Sequence, residues 1–179
     1  MKTKYIRNQF RFIVFPESCQ HREMAIKCLG PDKLIHGAGF MRLVFEEDKI
    51  KAQCYGESES LRIAPRRDDN TAILKAIGVE NAEEEVDHAK YIVWRGKVIV
   101  FSNELEHKTI AEGSFYGSSD CESAGFVKFL MHPSGKIKAQ CYGESTSLGI
   151  TAKKEDNKLI AELMEIPENM LFVSPALKY

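Results

Sequence analysis

The chain has 179 residues, of which 44% are hydrophobic, and its 25 basic residues nearly balance 26 acidic ones. This apolar fraction suffices for a folded core and excludes a disordered tail. The net charge of −1 excludes a general electrostatic attraction to nucleic acid or membrane surfaces. No apolar stretch is long enough for a membrane span or a signal-peptide core, so we expect a cytoplasmic protein whose five cysteines are reduced thiols.

An internal repeat dominates the chain. The octapeptide KAQCYGES occupies residues 51–58 and recurs unchanged at residues 138–145, and AGF occurs at residues 38–40 and 124–126. Between these two motifs the second copy is one residue longer, and the extra residue falls in the polar segment at 132–136. An insertion in a polar segment between apolar runs is what a β-hairpin tip tolerates. The chain is therefore a tandem duplication that contains a hairpin in each copy.

Each copy begins with two predicted strands and a short helix. The first strand lies near Tyr5 and at residues 91–94, and the second lies at residues 12–15 and 97–101. The N-caps predicted for the helices that follow are hydroxyl and amide side chains: Ser18 in the first copy, and Ser102 or Asn103 in the second.

A hairpin and a closing helix complete each copy. The hairpin arms are residues 39–45 with 50–55 and residues 125–131 with 137–142, because these runs are rich in Val, Phe and Tyr. After a polar loop, apolar residues recur at helical spacing, at positions 72, 73, 76 and 77 and at positions 159, 160, 163 and 164.

This order predicts an α+β fold of two tandem β-β-α-β-β-α repeats, packed as a pseudo-two-fold dimer. The first repeat spans residues 1–78, an acidic linker spans 79–88, and the second repeat spans 89–179 with a C-terminal extension. Within that extension, residues 170–173 could add one strand. A single unit of this size has a marginal core, so we expect the two copies to pack together.

Cysteine and histidine are retained in both copies, as Cys54 with Cys141 and His21 with His107. A thiol and an imidazole could serve as nucleophile and base in a hydrolase or transferase. The alternative is structural: a small buried thiol, and a histidine that bonds a backbone carbonyl on a semi-apolar helix face. No cysteine and histidine spacing typical of a metal site is present, and no cofactor is expected.

The loop Gly-Glu-Ser-x-Ser-Leu is the most informative candidate site. It offers backbone N–H groups and hydroxyls just before a helix, with arginines nearby, and such loops suit phosphate or carboxylate groups. A tight serine-rich turn with an aspartate helix cap is the alternative. The predicted ligand-binding residues of both copies are Tyr55, Gly56, Glu57, Ser58, Ser60, Arg62, Arg66, Tyr142, Gly143, Glu144, Ser145, Ser147, Lys153, His21 and His107. Gly149 replaces Arg62 in the second copy, which predicts two sites of unequal strength.

The motifs AGF and CYGESxSL, followed by an aspartate, resemble a short uncharacterised domain of phage and bacterial proteins. The resemblance implies a small accessory protein that acts by binding, as in countering a host defence. Our leading hypothesis is a non-enzymatic protein that binds an anionic small molecule such as a nucleotide. The alternatives are a module that assembles with a host protein, and the cysteine- and histidine-dependent enzyme. A homo-oligomer is compatible with each of them.

Overall fold

A computed structural model of the chain describes residues 2–46, 49–79, 88–115 and 121–173. The strands of its main sheet are β1 (Thr3–Asn8), β2 (Arg11–Pro16), β3 (Gly37–Glu46), β4 (Lys49–Tyr55), β5 (Ala89–Trp94), β6 (Lys97–Phe101), β7 (Ser123–Met131) and β8 (Ile137–Tyr142). They lie in the order β4-β3-β1-β2-β6-β5-β7-β8, and every adjacent pair is antiparallel. Two short strands, β9 (Glu144–Ser145) and β10 (Ile150–Thr151), form a separate ribbon.

The predicted architecture, two tandem β-β-α-β-β-α repeats packed as a pseudo-two-fold dimer, is wrong. Both copies of the repeated sequence contribute strands to one curled, eight-stranded antiparallel sheet. The copies meet where β2 pairs with β6, through Ile13 opposite Phe101 and Val14 opposite Val100. Backbone hydrogen bonds therefore join the two copies, because β2 and β6 would otherwise each leave an unpaired edge.

Short helices cover both faces of this sheet. They are α1 (His21–Met24), which continues as a π-helical turn (Ala25–Leu29), α2 (Asp69–Ala76), α3 (His107–Phe115) and α4 (Asp156–Leu163). Because side chains alternate along each strand, the sheet has a separate apolar core on each face. One core lies under α1 and α3 and the other under α2 and α4, and each contains residues of both copies.

Several local predictions are confirmed and others need correction. The predicted hairpin arms are the antiparallel pairs β3–β4 and β7–β8, and the closing helices are α2 and α4. The cap predicted for α1 is wrong, since the helix begins at His21 after Gln20 and no side chain caps it. Ser102 instead accepts a hydrogen bond from the Phe12 N–H, 2.5 Å from its Oγ, beside the β2–β6 pair.

The C-terminal segment does not form the extra strand predicted at residues 170–173. Residues Glu168–Met170 form a 3-10 turn, and Leu171 makes one isolated parallel bridge to Ile137 at the start of β8. The Phe172 ring then stacks on His132, with 3.6 Å between the ring centroids. Most of the predicted acidic linker, residues 80–87, lies outside the described residues.

Candidate functional site

In each copy, a row of aromatic rings crosses the sheet on the face that carries α1 and α3. In the first copy His21 meets Phe15 and Phe40 edge-on, at centroid distances of 5.6 and 5.8 Å, and Phe40 stacks on Tyr55 at 5.8 Å. The second copy repeats the row as Phe101, His107, Phe126 and Tyr142, with the same three distances. The register explains the row, because Phe40 lies directly opposite Tyr55, and Phe126 opposite Tyr142.

Both histidines in these rows are fixed by a backbone carbonyl. His21 Nε2 lies 2.8 Å from the Gly39 oxygen, and His107 Nε2 lies 2.8 Å from the Gly125 oxygen. Burial lowers the pKa of each imidazole, although the carbonyl contact opposes this shift. Each histidine thus bonds a backbone carbonyl, as the structural alternative predicts, and connects a helix to the strand beneath it.

The retained cysteines lie on the other face of the sheet, beside buried tyrosines. Burial raises the pKa of the Cys54 and Cys141 thiols to about 12. Tyr5 donates a hydrogen bond to Asp69 Oδ2 at 2.5 Å, and Tyr91 does the same to Asp156 at 2.6 Å. A thiol held in its protonated form is a poor nucleophile, so this arrangement does not favour attack by either cysteine.

An open pocket of about 590 Å³ lies beside the aromatic row of the first copy. It is lined by side chains from β1, the start of α1, β3 and the loop after β4: Lys4, Gln20, His21, Phe40, Glu57, Glu59 and Ser60. Lys4 is positioned by the carbonyls of Glu17 and Cys19, which accept hydrogen bonds from its Nζ at 2.8 and 2.9 Å. Ser60 Oγ accepts a bond from the Arg22 N–H at 3.3 Å, and this contact joins the loop to α1.

The predicted loop residues have different positions. Glu57, Ser60 and His21 line the pocket, and Tyr55 stacks on its Phe40 wall. Ser58 is fully buried, and its Oγ accepts the Leu61 N–H at 3.2 Å. Its hydroxyl therefore holds the loop together, as does that of Ser145, which accepts the Leu148 N–H at 3.3 Å.

The glycines and cationic residues of the predicted site act mainly through the backbone. A Cβ on Gly56 would lie 2.9 Å from the Phe40 ring, and one on Gly143 would lie 3.0 Å from Phe126, so both positions require close approach. Arg62 and Gly149, which occupy equivalent positions of the two copies, both have a left-handed backbone, at φ 55° and 66°. The turn therefore has the same backbone conformation with arginine as with glycine. The other predicted residues lie outside the lining of this pocket. Arg66 donates its backbone N–H to Asp69 at 2.8 Å, and Lys153 donates its own to Asp156 at 2.8 Å, where each aspartate starts the next helix.

Two cations lie next to the first-copy rings. Lys2 Nζ lies 5.3 Å from the Phe40 centroid, and the Arg42 guanidinium carbon lies 5.6 Å from the Tyr55 centroid. Arg42 lies opposite Gln53 and donates from Nε to its Oε1 at 2.8 Å. In the second copy the equivalent positions hold His88 and Lys128, and the His88 ring meets Tyr142 edge-on at 5.2 Å.

The sequence did not single out Lys2, Phe40, Arg42 or Glu59. One signal for Phe40 was available, since it ends the AGF motif kept in both copies. Glu59 is the variable position of the loop motif, since the second copy has Thr146 there. Lys2 and Arg42 depend on strand register, which pairs Thr3 with Met41 and so places Lys2 beside Arg42. No local pattern in the sequence specifies that pairing.

Comparisons with known proteins provide no relatives: no family model matches the chain, and no curated protein or solved structure is significantly similar to it. The resemblance to a phage and bacterial domain therefore stays a prediction. Within the described residues, no helix is both long and apolar enough to cross a membrane. The same residues contain no group of three or more His, Cys, Asp or Glu side chains placed to hold a metal ion.

Proposed function

We propose that the protein is a non-enzymatic binding protein whose first-copy pocket takes a nucleotide. The observation behind the proposal concerns Phe40, whose ring lines a pocket together with Lys4 and two glutamates. Lys2 lies over this ring, and Arg42 lies over the neighbouring Tyr55 ring. A nucleotide matches these surroundings, because its planar base carries N–H donors that suit carboxylates and its anionic phosphate suits the cations. The planar ring would lie on Phe40.

Strand register separates Arg42 from the two glutamates, while Lys4, opposite Phe40, lines the pocket itself. Along β3 and β4, the Arg42–Gln53 pair comes on one side of the Phe40–Tyr55 pair, and the loop that carries Glu57 and Glu59 follows Tyr55 on the other side. The two carboxylates of the loop would repel a phosphate, and Arg42 and Lys2 would attract it, although the Glu17 carboxylate accepts a hydrogen bond from the Lys2 N–H at the same end. This arrangement favours the orientation with the base towards the loop and the phosphate towards Arg42.

The interaction energies favour displacement of Lys2 from the Phe40 ring by a nucleotide base. An exposed cation–π contact such as that of Lys2 with Phe40 contributes about 0.5–1 kcal/mol. A nucleic-acid base stacked on an aromatic side chain contributes about 1–3 kcal/mol. The displaced ammonium group can then contact the phosphate, and the guanidinium of Arg42 adds a planar donor that suits phosphate oxygens.

Isothermal titration of the full chain with nucleoside monophosphates tests the proposal. Phe40→Leu removes the ring but keeps an apolar side chain, and Arg42→Gln removes the charge at an exposed position. We expect each change to weaken binding about tenfold or more, which is about 1.4 kcal/mol. The matched changes Phe126→Leu and Lys128→Gln in the second copy should change the dissociation constant of the first-copy site by less than about twofold.

Two outcomes contradict the proposal. One is the absence of any binding heat for the intact protein with every nucleotide at millimolar concentration. The other is binding that Phe40→Leu and Arg42→Gln both leave unchanged in a chain whose thermal unfolding shows it to be folded.

A further inference from the structure

Resting on the nucleotide-binding function proposed above, we infer that the first-copy pocket selects a guanine base. The two carboxylates of the pocket, Glu57 and Glu59, lie in the loop just beyond the Phe40–Tyr55 pair. A base stacked on Phe40 would therefore present one of its edges to carboxylate oxygens. The chemistry of that edge decides which bases the pocket accepts.

A carboxylate offers only hydrogen-bond acceptors, so it selects a base edge that carries adjacent donors. Guanine has such an edge, because its ring N1–H and its exocyclic amine lie side by side and can bond both oxygens of one carboxylate. Adenine places its amine next to a ring nitrogen with a lone pair, which would face a carboxylate oxygen and repel it. Charge-assisted bonds of this bidentate kind are about twice as strong as neutral ones.

Both carboxylates are available for such bonds. Glu57 and Glu59 are exposed, and within the described part of the chain neither is in an ion pair. Glu23 and Glu46, by contrast, are each paired with a lysine at 2.5 Å. Guanine would therefore have no internal cation to displace from the pocket carboxylates.

The loop that carries them is held in place by the buried residue between them. Ser58 exchanges backbone hydrogen bonds with Ile63, at 2.8 and 3.3 Å, and its hydroxyl accepts the Leu61 N–H. Residues 57 and 59 flank this anchored position, and both line the same pocket. The carboxylates are thus presented from a fixed backbone, and only their side chains need to adjust to a base.

The second copy lacks this arrangement. Thr146 stands where the first copy has Glu59, and Glu106 stands where it has Gln20, while Glu144 matches Glu57. The inference therefore concerns the first-copy site, whose loop places two carboxylates in the pocket.

Titration of the full chain with guanosine, inosine and adenosine monophosphates tests the inference. We expect the guanine nucleotide to bind at least tenfold tighter than the adenine nucleotide, with inosine, which has N1–H but no exocyclic amine, between them. Glu57→Gln and Glu59→Gln should together reduce that preference to about twofold or less. The matched change Glu144→Gln in the second copy should keep the preference.

The outcomes separate this inference from the proposed function. Equal binding of the guanine and adenine nucleotides, lost in Phe40→Leu, would overturn guanine selection and keep the nucleotide site. Guanine preference that survives both glutamate changes would overturn the role of the carboxylates. If no nucleotide binds the intact protein, the proposed function and the inference both fail.

Discussion

At the residue scale, the two copies satisfy one buried carboxylate in different ways. Asp69 and Asp156 start equivalent helices, are almost fully buried, and accept hydrogen bonds from a tyrosine hydroxyl and a backbone N–H. The remaining oxygen of Asp69 accepts from the Arg7 guanidinium at 2.6 Å, and that of Asp156 accepts from the Ser123 hydroxyl at 2.8 Å. An ion pair in one copy thus corresponds to a neutral hydrogen bond in the other.

A reciprocal exchange of residues underlies this difference. The position of Arg7 is Val93 in the second copy, and the position of Ser123 is Gly37 in the first. A Cβ on Gly37 would lie 2.4 Å from Asp69 Oδ2, so any side chain at this position requires the Asp69 carboxylate to shift. Each copy thus supplies one side-chain donor to the equivalent carboxylate oxygen, from a different strand.

Removing the ion pair tests this interpretation. Arg7→Val leaves one Asp69 oxygen without its buried cation, so we expect a loss of about 3–5 kcal/mol in the free energy of unfolding. Ser123→Ala in the second copy removes a neutral donor and should cost about 1–3 kcal/mol. Adding Gly37→Ser to Arg7→Val should restore part of the loss as Asp69 shifts. Urea unfolding measures all three, and equal losses for Arg7→Val and Ser123→Ala would contradict the assignment.

The buried histidines make stability depend on pH. Because burial lowers the pKa of His21 and His107 in the folded chain, the unfolded chain binds protons more readily. Their contribution is therefore present above the ordinary histidine pKa of about 6.5 and is lost as the pH falls below it. We expect His21→Gln with His107→Gln to flatten the unfolding free energy between about pH 7.5 and 5.5. If the double variant kept the same dependence of unfolding free energy on pH, groups other than these histidines would cause it.

At the element scale, α3 lies unusually close to the π-helical turn that follows α1. A Cβ on Gly113 would lie 2.2 Å from the Lys27 carbonyl oxygen, and the neighbouring Ser114 Oγ lies 3.1 Å from Cys28 Sγ. Glycine in a helix normally costs about 1 kcal/mol relative to alanine. It is tolerated here because it lets two helices from different copies approach at the centre of the sheet.

The usual effect of a glycine-to-alanine change in a helix should therefore be reversed. Gly113→Ala must push α3 away from a backbone carbonyl, and we expect it to lower the free energy of unfolding by about 1–3 kcal/mol, as overpacking does. Glu112→Ala, one residue earlier and exposed, should change it by less than about 0.5 kcal/mol. Chemical denaturation compares the two, and a stabilised Gly113→Ala chain would exclude the close contact.

At the scale of the whole molecule, neither copy has a core of its own. The core under α2 and α4 contains Tyr5 and Ile73 from the first copy with Tyr91 and Ile160 from the second, and the core on the other face is shared in the same way. Thr3 on β1 also donates a hydrogen bond to the carbonyl of Leu163 at the end of α4. Unfolding one copy would expose apolar surface of the other.

The chain should therefore unfold as one cooperative unit. We expect residues 1–79 and 88–179, produced separately, to lack a stable monomeric fold, because each exposes a central strand edge and half of both cores. Mixing the two should restore the folded spectrum measured by circular dichroism. A separate half that is monomeric by sedimentation and unfolds cooperatively would contradict the shared cores.

The sequence by itself determined the duplication, the strand pairs of each hairpin and the closing helices, because these depend on local periodicity and on residues close in the chain. It also placed Tyr55, Glu57 and Ser60 in one loop region, since the octapeptide is repeated. Only the tertiary structure decided that β2 pairs with β6 and that Lys2, Phe40 and Arg42 meet beside that loop. These contacts depend on register between strands distant in sequence, where burial of both sheet faces sets the pairing.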